Sequence, residues 1–227
     1  MAKGPLGSGD RPLSVRLRHA RRRKPSSAEW LKRQLNDPYV AAAGRHGYRS
    51  RAAFKLIELD DRFRLLRRAA RVVDLGCAPG GWTQVAVERL GPAGNVVGVD
   101  IAGTAAIAGA RLLRADLTDP AAAADIRDAL GGSADLVLSD MAPATTGHAA
   151  TDHWRIMALA GAAFEIAAAL LAPGGNFVVK VFQGGADADL LAALKRSFAE
   201  VRHAKPPASR AESAETYVVA KGFRRRA

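Results

Sequence analysis

Lys55, Asp140, Lys180 and Glu215 are charged residues set in apolar stretches of sequence. Lys180 closes the run Asn-Phe-Val-Val-Lys, which reads as a buried strand, and a lysine there needs compensating partners because taking its charge out of water is costly. Asp140 ends the preceding apolar run, so the two side chains lie together if their strands are neighbours. Such a pair can be a structural ion pair, or it can orient a hydroxyl group and handle its proton. Acids also recur at or near the ends of predicted strands, at Asp74, Asp100, Asp116 and Asp140. Four carboxylates on one sheet edge suit a ligand that carries positive charge.

The loop that must seat such a ligand lies within Arg71 to Trp82, RVVDLGCAPGGW. A β-branched apolar run stops at Gly76-Cys77-Ala78-Pro79-Gly80-Gly81 and a helical pattern follows, which predicts a strand, a tight loop and a helix. Gly76, Gly80 and Gly81 let backbone approach a ligand closely, while Pro79 removes one N–H from the loop. As a G-x-G-x-x-G fingerprint the stretch offers Gly76, Ala78 and Gly81, so the glycine that faces a pyrophosphate is missing and a dinucleotide fits poorly. S-adenosylmethionine (SAM) has no phosphate and carries an ammonium, so acids and backbone donors suit it. Trp82 opens the helix beside the loop.

The chain of 227 residues has room for one α/β domain with a substantial core. Lys and Arg number 34 against 22 Asp and Glu, a formal charge of +12, which points to a polyanionic partner. Cys77 is the single cysteine, which excludes a disulfide framework or a cysteine-built zinc site and implies a reducing, cytoplasmic setting. No stretch has the length and apolarity of a membrane span. Residues 1–25 are rich in Gly, Pro and Arg and lack large apolar side chains, so a basic, disordered arm is expected there, with residues 26–227 forming one domain.

Within that domain, Ser26 or Ser27 caps a helix that ends at Asn36-Asp37-Pro38, and a basic helical pattern runs from Tyr39 to Leu59. Strands are predicted at Arg71–Leu75, Val96–Asp100, Ala110–Arg114, Asp135–Ser139, Asn176–Val181, Val201–Ala204 and Thr216–Lys221. Helices are predicted at Thr83–Leu90, Ala121–Leu130, Asp152–Leu171 and Asp187–Phe198. This alternation predicts a Rossmann-like, mostly parallel, seven-stranded doubly wound sheet with helices on both faces, whose ligands lie beyond the carboxyl ends of the strands.

The runs SRAAFKL (Ser50 to Leu56), VVDLGCAPGGWTQ (Val72 to Gln84), LSDMAP (Leu138 to Pro143), LAPGGNFVVKVFQG (Leu171 to Gly184) and SRAESAETYVV (Ser209 to Val219) resemble, in order, the motifs of the FtsJ/RrmJ family of SAM-dependent ribose 2′-O-methyltransferases. The resemblance places the family's Lys-Asp-Lys-Glu tetrad on Lys55, Asp140, Lys180 and Glu215, and its cofactor positions on Gly80, Trp82, Asp100, Asp116 and Asp140. It implies that Lys180 contacts the 2′-oxygen, as base or as electrostatic orienter, that Asp140 holds Lys180 and that Lys55 and Glu215 complete the ribose pocket. Asp100 is then expected to bind the cofactor ribose and Asp116 the adenine, with no metal. The segment Ser26 to Val40 resembles members acting on bacterial large-subunit rRNA, which implies a uridine of 23S rRNA in the 50S subunit as target and a monomeric enzyme. Arginines of the arm, of Tyr39 to Lys55, Arg210 and Arg224 to Arg226 are expected on phosphates. A tRNA or other RNA 2′-O-methyltransferase, or a non-catalytic RNA-binding assembly factor, would share much of this sequence.

Overall fold

A computed structural model describes residues 31–66, 69–143, 146–182 and 188–224. The expected arm, the Ser26 and Ser27 caps, and Arg225 and Arg226 lie outside the described residues. After a short helical stretch at 31–35 come α1 (Pro38–His46), α2 (Ala52–Phe63), β1 (Arg71–Leu75), α3 (Gly81–Leu90), β2 (Asn95–Asp100), β3 (Ala110–Arg114) and α4 (Ala122–Leu130). Then follow β4 (Ala134–Ser139), α5 (Ala149–Leu170), β5 (Leu171–Phe182), α6 (Ala188–Ser197), β6 (Phe198–Ala204) and β7 (Glu215–Phe223). No helix among the described residues is long and apolar enough to cross a membrane.

The seven strands form one sheet in the order β3-β2-β1-β4-β5-β7-β6. From β1 the chain winds outward through β2 and β3, then returns to place β4 on the other side of β1, so the order reverses between β1 and β4. A crevice beyond the carboxyl ends is expected at that reversal. Strand side chains alternate between two cores. Val73, Leu75, Val97 and Val99 pack with Ile126, Ile156 and Leu194, while Val72, Val96, Leu138 and Val178 pack with Leu56, Leu59 and Val85. Helices therefore cover both faces, as the pattern predicted.

The mostly parallel sheet has one strand of opposite sense. β7 inserts between β5 and β6 and pairs antiparallel with both, with Phe182 opposite Glu215 and Lys180 opposite Tyr217. The start of β7 therefore meets the end of β5, which brings Glu215 from the chain's tail to the edge where Lys180 sits.

Several boundaries differ from expectation; β6, for one, begins at Phe198, expected to end the preceding helix, rather than at Val201. The helical pattern from Tyr39 to Leu59 is two helices, because Gly47 adopts φ 74° and closes α1, with Tyr48 N donating to Ala43 O at 2.9 Å. Asp37, expected to end the preceding helix, starts α1 by accepting from Tyr39 N at 3.0 Å. β5 begins at Leu171 rather than Asn176. The register slips between Ala134↔Leu171 and Leu136↔Asn176, so Pro173-Gly174-Gly175 is taken up as a bulge within the strand.

Candidate active site

Four elements converge on the tetrad. Lys55 reaches over the sheet edge from α2, which is anchored by Phe54, Leu56, Leu59 and Phe63. Lys180 projects from β5 on the face shared by Val178, since side chains two apart along a strand lie on one face. Asp140 follows the last residue of β4, and Glu215 opens β7. Lys180 Nζ donates to Asp140 O at 2.7 Å and lies 3.1 Å from Asp140 Oδ1 and 3.7 Å from Glu215 Oε1. Lys55 Nζ lies 3.0 Å from Glu215 Oε2 and 3.7 Å from Asp140 Oδ1. Two ammonium groups and two carboxylates thus alternate around a closed ring with no net charge.

Burial of Asp140 raises the pKa of its carboxyl, yet Lys180 and Lys55 outweigh that and hold it below the ordinary carboxylate range. Glu215 is lowered in the same way, with burial opposed by Lys55 and then Lys180. Lys180 is the most enclosed member, with a side chain 4% exposed, and Glu215 the most open at 27%. Tyr217 completes the arrangement. Its hydroxyl donates to Asp140 Oδ1 at 2.6 Å, and its ring lies 5.7 Å from Lys55 Nζ and 5.6 Å from the ring of Trp82. Burial and the Asp140 carboxylate push the Tyr217 phenol well above its usual pKa, so it stays a donor. Sequence reasoning passed over Tyr217, although its position two residues after Glu215 on one strand was the available signal.

Asp140 also lines a cleft of about 430 Å³ with Gly76, Ala78, Asp100, Ile101, Asp116 and Met141. That volume lies within the range of small-molecule sites. Asp100 accepts from Ala78 N at 2.9 Å and from Ala102 N at 2.7 Å, which fixes the carboxylate between the glycine loop and the loop after β2. Asp116 accepts from Thr118 N and Oγ1 at 2.9 and 2.8 Å, and these bonds hold its pKa down. Gly76 has φ +74°, and a Cβ there would sit 2.1 Å from Met141 Cγ. Four predicted cofactor residues, Gly76, Asp100, Asp116 and Asp140, therefore share one wall system.

Asp74, Gly80, Gly81 and Trp82 take other places. The Asp74 carboxylate is buried and accepts from Thr83 Oγ1 at 2.6 Å. A Cβ on Gly80 would meet Ile107 Cδ1 at 2.6 Å, and one on Gly81 would meet Ser50 Oγ at 2.4 Å, so both glycines permit close loop packing. Trp82 is buried in the α2–α3 core and donates from Nε1 to Ala52 O at 2.8 Å. Cys77 is buried and burial pushes its thiol up to about 11, so it stays a neutral, small side chain filling the loop. A larger cavity of about 730 Å³ opens beside Arg64, Asp135, Gly174 and Lys221, at the strands' other end, and gathers none of the predicted residues. No cluster of metal-ligating side chains occurs among the described residues.

The model of the FtsJ-like methyltransferase matches residues 48–223, a span that contains the tetrad and the whole cleft. The chain belongs to the FtsJ-like methyltransferase family. Relatives named ribosomal RNA large subunit methyltransferase E include one from Acidiphilium cryptum, 59% identical over 224 residues and covering 99% of this chain and 98% of the relative. Another, from Gluconobacter oxydans, is 58% identical over 214 residues, 94% of this chain and 79% of the relative. The crystal structure of a ribosomal RNA methyltransferase from Plasmodium falciparum superposes with a TM-score of 0.69 at 29% identity, covering 78% of this chain and 98% of that one. This FtsJ-like methyltransferase also spends part of its positive charge internally. Arg51 Nη1 and Arg210 Nη2 both engage Asp37 Oδ2, the latter at 3.1 Å, and Arg51 Nη2 donates to Ala208 O.

Proposed function

We propose that this methyltransferase transfers a methyl group from SAM to the ribose 2′-hydroxyl of a uridine in 23S rRNA. The observation that carries the reading is that the tetrad and the cleft share Asp140, so a hydroxyl held by Lys180 lies at the mouth of a small-molecule site. SAM, when bound, supplies an electrophilic methyl group on a sulfonium. Asp100 and Asp116 accept hydrogen bonds from its ribose and adenine, Gly76 lets Met141 close against the glycine loop, and Asp140 borders its charged end. Lys180 contacts the 2′-oxygen and orients it for in-line attack, a contribution that depends on sub-ångström placement. Asp140, Glu215 and Tyr217 hold Lys180 and Lys55 in that arrangement.

The net charge of +12 and identity to relatives named ribosomal RNA large subunit methyltransferase E support rRNA as the substrate. Association with the 50S subunit as a monomer in the cytoplasm follows from the same reading. Incubation with labelled SAM and large subunits that lack the modification, compared with free rRNA and tRNA, tests it. Label in a 2′-O-methyluridine of 23S rRNA supports the proposal, and transfer to tRNA alone overturns the substrate.

A further inference from the structure

We infer that Arg49 is a positioning residue of the cofactor cleft, fastening the loop after β2 to the glycine loop. Arg49 lies in the connection between α1 and α2. That connection is fixed to α3, because Arg49 N donates to Gln84 Oε1 at 2.8 Å and Gln84 Nε2 donates back to Gly47 O at 3.0 Å. From this anchored backbone the guanidinium spans two loops. Nη1 donates to Pro79 O at 3.2 Å and Ala105 O at 2.6 Å, and Nη2 donates to Ala106 O at 2.6 Å. Pro79 belongs to the glycine loop, while Ala105 and Ala106 lie in residues 101–109, a stretch without regular structure between β2 and β3.

That stretch starts at the cleft wall, where Ile101 is 65% exposed beside Asp100. A second observation points the same way. Gly80 has φ +115° and brings the two loops so close that a Cβ would lie 2.6 Å from Ile107 Cδ1 and 3.1 Å from Arg49 Nη1. The contact is built for a planar fork, which a lysine with a single nitrogen cannot reproduce. Arg49 thus orders a wall of the cleft without touching its occupant, and a bound ligand no longer has to supply that ordering itself.

The inference rests on the proposed identity of the cleft's ligand, SAM. Arg49→Ala and Arg49→Lys are compared with the wild-type chain by calorimetry with SAM, by hydrogen exchange of residues 101–109 without ligand, and by separate KM values for SAM and RNA. Arg49→Ala is expected to bind SAM about 10-fold more weakly, with faster exchange in 101–109 before any ligand is added and the KM for SAM rising with the dissociation constant. Arg49→Lys is expected to show the same pattern more mildly, and it decides the matter should the alanine variant not fold. Wild-type SAM affinity with unchanged exchange in the variants overturns the inference, as does a rise in the KM for RNA alone, which would make Arg49 a phosphate contact. A wild-type chain that binds no SAM overturns this inference and the proposed function together.

Discussion

Asp74 offers a test of the physical reasoning that needs no substrate. Its carboxyl is 1% exposed beneath the glycine loop, and burial pushes its pKa up to about 7 against the Thr83 hydrogen bond, with Asp140 and Asp100 adding like-charge repulsion. An acid whose pKa is higher in the folded chain than in the unfolded one binds its proton more tightly when folded. Its contribution to stability is complete below about pH 4 and is lost as pH rises through about 7. Raising that carboxyl from the ordinary carboxylate range to about 7 corresponds to about 4 kcal/mol. Asp74→Asn keeps the shape and an acceptor for Thr83 but removes the proton linkage. Urea unfolding of both proteins from pH 4 to 9 measures the difference at each pH, and groups common to both cancel. The wild-type chain is expected to lose about 4 kcal/mol relative to Asp74→Asn across that range. A difference that stays flat, or that moves toward greater wild-type stability at high pH, refutes the account of a buried, proton-holding Asp74.

Tyr217→Phe removes the 2.6 Å donor to Asp140 while keeping the buried ring, and hydrogen bonds to charged groups are worth about 1.5–3 kcal/mol, so single-turnover methyl transfer is expected to fall about 10- to 100-fold. SAM affinity measured by calorimetry should change by less than about threefold, since the hydroxyl holds the tetrad side of Asp140. Asp37→Ala deletes the cap of α1 and the shared carboxylate of Arg51 and Arg210. Denaturant titration is expected to show a loss of about 3–5 kcal/mol, as for a broken buried ion pair, with Asp37→Asn recovering about 1 kcal/mol through its retained cap.

The sheet was legible because its strands are short β-branched runs separated by helical patterns, and both signals are local. The break at Gly47 was not, since Ala41 to Arg45 and Ala52 to Glu58 continue one helical pattern in composition. The left-handed glycine between them is decided by the packing of Tyr48 and Phe54 in T-shaped contact at 5.7 Å. The early start of β5 was hidden for a similar reason. Pro173-Gly174-Gly175 has turn chemistry, and only pairing with β4 on both sides turns it into a bulge.

At the site, Lys180 and Asp140 were visible as charges ending apolar runs. Lys55 and Glu215 stood out as charges beside apolar residues, but no strand end placed them, and their roles rested on resemblance. An antiparallel β7 is what brings Glu215 into reach, and strand direction is a property of the whole sheet. Arg49, Asp37 and Tyr217 act through contacts across 14 to 173 positions of sequence, which no local pattern encodes. The glycines of the loop announced close approach correctly, but at Gly76, Gly80 and Gly81 the approaching group is protein, at Met141, Ile107 and Ser50.

The central claim is that Lys180, held by Asp140 and Glu215, presents the ribose hydroxyl to the methyl donor. Its most direct test pairs SAM calorimetry with single-turnover transfer to unmodified large subunits in Lys180→Ala. The account predicts SAM affinity close to that of the wild-type chain and a transfer rate lower by about three orders of magnitude or more, about 4 kcal/mol of lost transition-state stabilisation. Transfer at the wild-type rate would contradict it.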